Sequence, residues 1–178
     1  MGNVLQKIGE LDKALESYEK AMHINPNYAE TLLNYGCVNL RKGNFKVGLK
    51  MYEQRFYSGE FSCRAPKKNL TWNGKKSLKG KHFFVYEEQG LGDIIQFSRY
   101  LILLSERGAK VTFKVKKELH ELLSTMKINI NLISCDPNYE GIDFESPLLS
   151  LPYLFGTDLN NIPNPKYYIN ACERKITY

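Results

Sequence analysis

The apolar residues in the middle of the chain change from strand-like to helix-like spacing and back. His82–Tyr86 is a continuous run of aromatic and β-branched residues, which predicts a buried parallel strand. From Ile94 to Leu104, apolar residues recur at i, i+3, i+7 and i+10, which predicts a helix packed on a sheet. The alternation over Val111–Val115 predicts the next strand. The three elements together predict a right-handed βαβ crossover.

Weaker patterns extend this α/β region toward the C-terminus. They predict a helix over 118–126, a strand over 130–134 and a short strand over 141–144. The stretches 147–152 and 160–165 carry prolines and polar turn residues, which favour loops, and a last apolar piece follows at 167–169. We therefore expect the first half of a doubly wound, three-layer α/β fold.

The N-terminal third of the chain is an internal repeat. Six residues recur 34 positions later: Gly2, Gly9, Ala14, Leu15, Tyr18 and Glu19 correspond to Gly36, Gly43, Gly48, Leu49, Tyr52 and Glu53. This period, with small residues at fixed points and Pro26 closing the second helix, resembles the tetratricopeptide repeat over residues 1 to about 57. Small residues allow two helices to pack closely, while Gly9 and Gly43 suit left-handed helix ends.

Two roles remain open for the repeat. Such arrays usually bind peptides or proteins in a concave groove, but so short an array also suits a structural support. About three repeats are normally needed to share a core, so Met1 lies inside a longer array or the repeat leans on the following domain. Arg55 stands where a small residue is usual, which indicates that the array stops there.

Composition excludes several classes of protein. The formal net charge of +6 is a mild excess, but Arg64–Lys81 holds seven basic residues and no acidic one. This basic segment is either a solvated connector or a surface for an anionic partner, and no aromatic ladder supports nucleic-acid binding. The cysteines and histidines are scattered, so no metal or cofactor is implied. No signal peptide or membrane-spanning run is present, which predicts a reduced, cytoplasmic protein.

The turn Glu88–Asp93, between the first predicted strand and helix, is the candidate functional site. Gly90 and Gly92 keep side chains out of the space beyond the strand. The turn fails as a dinucleotide fingerprint, because Ile95 takes the third glycine position and no acidic residue ends the second strand. It also fails as a Walker motif.

A wider set of motifs around this turn carries a family resemblance. The motifs are Trp72-Asn73-Gly74, Leu78–Lys81, Glu88–Asp93, Gln96-Phe97, Arg99-Tyr100 and Leu149–Pro152. Preceded by tetratricopeptide repeats, they resemble bacterial proteins that join such repeats to a glycosyltransferase domain similar to the heptosyltransferases of glycosyltransferase family 9. The resemblance implies a GT-B fold of two Rossmann-like domains, which bind the acceptor mainly on the first and the nucleotide-sugar donor mainly on the second.

The same resemblance implies roles for residues of the turn. Asp93 corresponds to the general base that would deprotonate an acceptor hydroxyl. Gln89, Gly90, Leu91, Gly92 and Gln96 would line the substrate on the acceptor side. The competing interpretation of Asp93 is a helix cap. Arg99 suits an ion pair with Glu87 or Glu88.

The sequence therefore predicts an α plus α/β chain in three parts: a tetratricopeptide region at 1–57, a basic linker at 58–80 and a Rossmann-like GT-B half-domain at 81–178. The leading expectation is the N-terminal portion of a glycosyltransferase. Its donor would be a nucleotide-sugar and its acceptor a glycan, lipid or protein, and it would be inactive without the donor-binding domain. The alternative is a non-catalytic protein-interaction module.

Overall fold

The computed structural model describes residues 1–59 and 63–170. The chain forms two compact units, which we describe separately. The first comprises Met1–Ala65 and Pro152–Ile162, and the second comprises Pro66–Leu151 and the chain from Pro163 onward. The last eight residues of the predicted half-domain, 171–178, which include Cys172, lie outside the described residues. The three-part division predicted from the sequence stays a prediction.

The first unit is built from two helical hairpins. Its helices are α1 (Gly2–Lys7), α2 (Leu11–Ile24), α3 (Ala29–Arg41) and α4 (Phe45–Tyr52), and a 3-10 turn follows at Glu53–Phe56. Gly9 and Gly43 have φ of +87° and +82°, so each turn uses a left-handed residue where the repeat predicts one. Arg55 is fully buried, with its guanidinium 4.2 Å from the centre of the Phe56 ring.

The recurring small residues are points of close helix contact. A Cβ added to Gly2 would lie 2.6 Å from the Tyr18 ring, and one added to Gly36 would lie 2.8 Å from Met51 Cβ. Ala14, Tyr18 and Val38 form the buried cluster between the hairpins. The repeat pattern therefore marks the residues that hold α1 against α2 and α3 against α4.

The second unit is a four-stranded, wholly parallel sheet. Its strands are β1 (His82–Tyr86), β2 (Lys110–Lys114), β3 (Ile130–Ile133) and β4 (Phe144–Pro147), in the order β3-β2-β1-β4. Helices α5 (Leu91–Phe97) and α6 (Arg99–Glu106) connect β1 to β2, and α7 (His120–Leu123) lies between β2 and β3. A final short helix, α8 (Leu151–Leu154), begins with the last residue of the Pro66–Leu151 stretch and otherwise belongs to the first unit. This arrangement confirms a helical repeat region together with a mixed α/β region.

The lysine-rich stretch before β1 is packed against this sheet. Trp72 and Leu78 are buried, and the Trp72 ring meets Phe83 edge-on at 5.7 Å between centroids. The Trp72 indole N–H donates to the carbonyl of Lys76 at 2.9 Å, and the Arg107 guanidinium lies 5.5 Å from the centre of the indole ring. The basic side chains of this stretch are thus carried on an ordered backbone.

Several predicted elements differ in extent from those observed. The helix predicted over 94–104 is divided at Ser98, whose buried hydroxyl donates to the Ile95 carbonyl at 2.8 Å. The helix predicted over 118–126 is a 3-10 turn, Lys117–Leu119, followed by the four residues of α7. Short polar interruptions explain both differences.

The fourth strand was predicted three residues too early. Gly141 has a φ of +76° and belongs to the turn, so pairing with β1 begins at Phe144 opposite Phe83. The strand continues through Glu145 and Ser146, which are both 1% exposed. Residues 147–152, predicted as a loop, form the end of β4, a 3-10 turn at Leu148–Ser150 and the start of α8. Buried polar residues hid this strand from an apolar pattern.

Candidate functional site

The strand order places a crevice at the carboxyl ends of β1 and β4. From β1 the chain crosses to β2 on one side, and β4 pairs with the other side of β1. The connections that leave these two neighbouring strands therefore diverge, which is where open parallel sheets bind ligands. The predicted turn Glu88–Asp93 follows β1 directly at this point.

Two glutamates fix the backbone of the turn. Glu87 Oε2 accepts a hydrogen bond of 2.9 Å from the backbone N–H of Lys116, beyond the end of β2. Glu88 is buried, and its Oε1 accepts a hydrogen bond of 3.1 Å from the backbone N–H of Leu149, in the turn after β4. These two hydrogen bonds connect the turn after β1 to the segments that follow β2 and β4. Backbone N–H donors of this kind stabilise a buried carboxylate such as that of Glu88.

The backbone between Glu88 and α5 has an unusual conformation. Gln89 is the only non-glycine residue with a positive φ in the described chain, at +65°. This left-handed conformation costs about 1 kcal/mol for a side chain with a Cβ. Gly90 then adopts an extended conformation as the N-cap of α5. Strained residues concentrate at ligand-binding turns, so this backbone conformation is consistent with the predicted role of Gln89 in substrate binding.

The Asp93 side chain is a helix cap in the structure. Its Oδ2 accepts a hydrogen bond of 3.2 Å from the backbone N–H of Gly90. Among the described residues, the other carboxylate oxygen has no recorded hydrogen-bond partner, and the side chain is partly exposed. Capping therefore uses one oxygen and leaves the second accessible, so a cap and a base are compatible roles.

The other predicted site residues lie on the exposed side of the turn and of α5. Gly90, Leu91, Gly92 and Gln96 are exposed, and Gln89 is partly buried. These residues lie close together in the structure because they are nearly consecutive in the sequence. Their proximity is therefore not independent support for a substrate site. Their substrate-binding role, like the catalytic role of Asp93, stays a prediction.

Arg99 does not form the predicted ion pair with Glu87 or Glu88. Its Nη1 donates to the Pro163 carbonyl at 3.2 Å, and its guanidinium lies 5.1 Å from the centre of the Tyr168 ring. The Tyr168 hydroxyl donates in turn to the Ile95 carbonyl at 3.1 Å. The prediction failed because Arg99 is on the part of the helix that binds the distant 163–168 segment.

A second candidate surface lies on α1 and α3 of the repeat unit. The Tyr18 hydroxyl lies 2.7 Å from Asn3 Oδ1 and 2.9 Å from Gln6 Oε1, and Asn34 Nδ2 donates to Asn3 Oδ1 at 3.4 Å. The Tyr18 hydroxyl has a single proton, so it donates to one of these two amide oxygens at a time, and both amide groups lie within hydrogen-bond distance of it. The sequence analysis did not identify these amides, since single polar residues on a helix carry no pattern.

Three further features of the described residues bear on ligand binding and on membrane insertion. A cavity of about 290 Å³ at the amino ends of the strands is lined by Lys110, Thr112 and Asn131 among others, and by no predicted site residue. No group of three or more histidine, cysteine or acidic side chains in the described chain is arranged to hold a metal ion. No helix in residues 1–59 or 63–170 has the length and apolar character needed to cross a bilayer.

Comparison with known proteins identifies the repeat. A family model of the tetratricopeptide (TPR) repeat matches residues 2–43. Neither a curated protein nor a solved structure matches the chain. The prediction of a tetratricopeptide region is therefore confirmed, and this region indicates a protein-interaction module. The likeness to heptosyltransferases gains no support from these comparisons and stays a prediction, as does the cytoplasmic location.

Proposed function

We propose that this chain is a protein-interaction module whose repeat region binds an extended peptide on α1 and α3. The amide groups of Asn3 and Gln6, which both lie within hydrogen-bond distance of the Tyr18 hydroxyl, are the observation that carries the proposal. Amide groups held on one helix face can bind backbone N–H and carbonyl groups of a peptide at low entropic cost. The tetratricopeptide match over residues 2–43 supports the same function.

A selection of random peptides on the whole chain would test this proposal. Peptides that bind should lose at least tenfold in affinity to the variant Asn3→Ala/Gln6→Ala, measured by fluorescence anisotropy. Glu16→Ala is the matched control, because Glu16 is exposed on α2 and makes no recorded contact with these amides. If the selected peptides bind the amide variant as well as the original chain, the proposed surface is wrong.

A second candidate function belongs to the α/β unit. We propose that this unit is the acceptor half of a GT-B glycosyltransferase, as the sequence resemblance implies. What favours it is the parallel order β3-β2-β1-β4, which is the order of the first half of a doubly wound sheet. The turn Glu88–Asp93 lies at the crevice where this fold binds ligands.

In this proposal Asp93 is the general base, with Gln89 and Gln96 lining the acceptor. The carboxylate oxygen that is not used by Gly90 would accept the proton of the attacking hydroxyl. The donor would be a nucleotide-sugar bound by a second, donor-binding domain, and the acceptor a glycan, lipid or protein hydroxyl.

Two substitutions separate the base from the cap. Asp93→Asn keeps an amide oxygen that can accept from Gly90 but cannot take a proton, whereas Asp93→Ala removes both functions. In the full-length protein, Asp93→Asn should abolish sugar transfer with little loss of stability. Asp93→Ala should also lower the unfolding free energy by about 1 kcal/mol. Transfer that survives in Asp93→Asn would exclude Asp93 as the base.

Reading the gene beyond Tyr178 distinguishes the two functions at little cost. A further ~150 residues of alternating strands and helices would favour the glycosyltransferase, because a second domain of that size is needed for the donor. A stop codon would favour the interaction module.

A further inference from the structure

The cavity at the amino ends of the strands is lined by polar residues of both β2 and β3. Its volume is about 290 Å³, and we call it the amino-edge cavity. Lys110 and Thr112 are two positions apart on β2, so their side chains point to the same face of the sheet, and Asn131 of β3 is in register with Thr112. All three line the cavity. The turn Glu88–Asp93 follows the opposite ends of the strands, so the cavity is distinct from the crevice described above.

The Thr112 hydroxyl is buried in the wall of this cavity between two nitrogen atoms. Thr112 is 5% exposed, and its Oγ1 lies 2.9 Å from His82 Nε2 and 3.4 Å from Asn131 Nδ2. The amide nitrogen of Asn131 can only donate, so Oγ1 accepts from it. When His82 has its proton on Nε2, Oγ1 accepts from both nitrogens, and its own proton has no recorded acceptor in the described chain. The hydroxyl can then donate to a ligand oxygen in the cavity.

Lys110 gives the cavity a positive charge that no ion pair neutralises. The ammonium group of Lys110 has no recorded partner among the residues that the structure describes. Two nearby lysines differ in this respect, because Lys81 is paired with Asp143 at 2.8 Å and Lys114 with Asp136 at 3.0 Å. A cleft that holds an unpaired cation attracts anions.

The other residues that line the cavity add hydrogen-bonding groups and no negative charge. They are Ser105, Ala109, Val111 and Asn129. In the part of the chain that is described, the Ser105 hydroxyl and the Asn129 amide have no recorded partner. Glu106, next to Ser105 in the sequence, is followed by Arg107 of opposite charge. A volume of about 290 Å³ corresponds to about ten water molecules at ~30 Å³ each, so a ligand of about ten non-hydrogen atoms would fill it.

We propose that the amino-edge cavity binds a small organic oxyanion, a carboxylate or a phosphate ester. Lys110 pairs with the negative charge, and the Thr112 hydroxyl donates to one of the charged oxygens. The amides of Asn129 and Asn131 bind the remaining polar groups of the ligand. A neutral molecule of the same size is a poorer occupant, because it leaves the Lys110 ammonium without a counter-charge.

Phosphate and carboxylate probes test the inference on the whole isotope-labelled chain. Inorganic phosphate and succinate are titrated separately at constant ionic strength, and the side-chain NH₂ signals of Asn129 and Asn131 are followed by NMR. At least one of the two anions should shift both signals with saturation, and the anion that binds more tightly identifies the oxyanion class. Glycerol is the neutral control and should give no saturable shift. If neither anion gives a saturable shift, or if glycerol shifts the same signals as strongly, the proposal is wrong.

Two pairs of variants locate the site of binding, after circular dichroism has shown that each variant is folded. Lys110→Met should weaken binding of the tighter anion about tenfold, the usual contribution of one charge-assisted hydrogen bond. Lys117→Met is the matched control, because it removes the same charge from an exposed residue beyond the carboxyl end of β2. Thr112→Val should weaken binding by a similar factor, whereas Thr112→Ser keeps the hydroxyl and should bind as the original chain does. Equal effects of the two lysine variants, or undiminished binding to Thr112→Val, would overturn the proposal.

Discussion

Helices α3 and α4 approach each other closely at Gly36, and Gly36→Ala should destabilise the protein. An added Cβ would lie 2.8 Å from Met51 Cβ, 3.0 Å from the Tyr52 backbone nitrogen and 3.1 Å from the Gly48 carbonyl oxygen. Two of these three neighbours are backbone atoms of α4, so no side-chain rotation relieves the overlap. The helices have to separate by several tenths of an ångström.

The expected loss is the difference between two opposing effects. Overpacking of this kind costs about 1–3 kcal/mol. Alanine in the middle of a helix gains about 1 kcal/mol over glycine, because the unfolded chain has less freedom to lose. The net change for Gly36→Ala is therefore a destabilisation of up to roughly 2 kcal/mol.

Urea denaturation followed by circular dichroism at 222 nm measures this change. Gly92→Ala is the matched control, because Gly92 is also helical and an added Cβ meets no atom within 4 Å. The control should gain up to about 1 kcal/mol, the helix-propensity difference, since Gly92 lies in the first turn of α5. If Gly36→Ala stabilises the protein as much as Gly92→Ala does, the close contact between α3 and α4 is not present in solution.

Three further predictions concern the α/β unit. The hydrogen bond from Lys81, followed by one from a backbone N–H, lowers the pKa of Asp143 below its ordinary value. Asp143→Asn should therefore cost up to ~1 kcal/mol at pH 7, and the difference should be lost as the pH falls through the lowered pKa of Asp143, in urea titrations at neutral and acidic pH. Gln89→Gly should raise the unfolding free energy by roughly 0.5–1 kcal/mol, because glycine accepts the positive φ without strain; a loss of stability would contradict this. Glu88→Ala should cost about 1–3 kcal/mol by leaving the Leu149 N–H unpaired, and Glu88→Gln should cost less because it keeps an acceptor; equal losses would show that the hydrogen bond is unimportant.

Elements with a strong periodic signal could be predicted from the sequence. The 34-residue repeat predicted close contacts at Gly2 and Gly36, since only a missing side chain permits them. The apolar run of β1 and the alternation in β2 likewise predicted two parallel strands. In each case the residues that form the sequence pattern are the residues that make the buried contacts, so the prediction depends on packing alone.

Features that depend on polar groups brought together by the fold could not be predicted. Glu88 carries no sequence signal for its bond to Leu149, which is 61 residues away. The buried pair Glu145 and Ser146 made β4 appear three residues earlier in the sequence than it is. The lysines around Trp72 suggested a solvated segment, although Trp72 and Leu78 are buried. The hydrogen-bond partners and burial of such residues are established only after the strands have paired.

The charges at the carboxyl edge of the sheet bear on which substrate the crevice suits. Glu87, Glu88 and Asp93 follow β1, whereas Lys114 at the end of β2, paired with Asp136 at 3.0 Å, is followed by Lys116 and Lys117. The edge therefore carries both signs of charge. Glu87 and Glu88 are held by backbone N–H groups, while Asp93 keeps one oxygen accessible. One accessible carboxylate oxygen is what the activation of a neutral hydroxyl requires, so if the unit does bind sugars, the turn suits the acceptor.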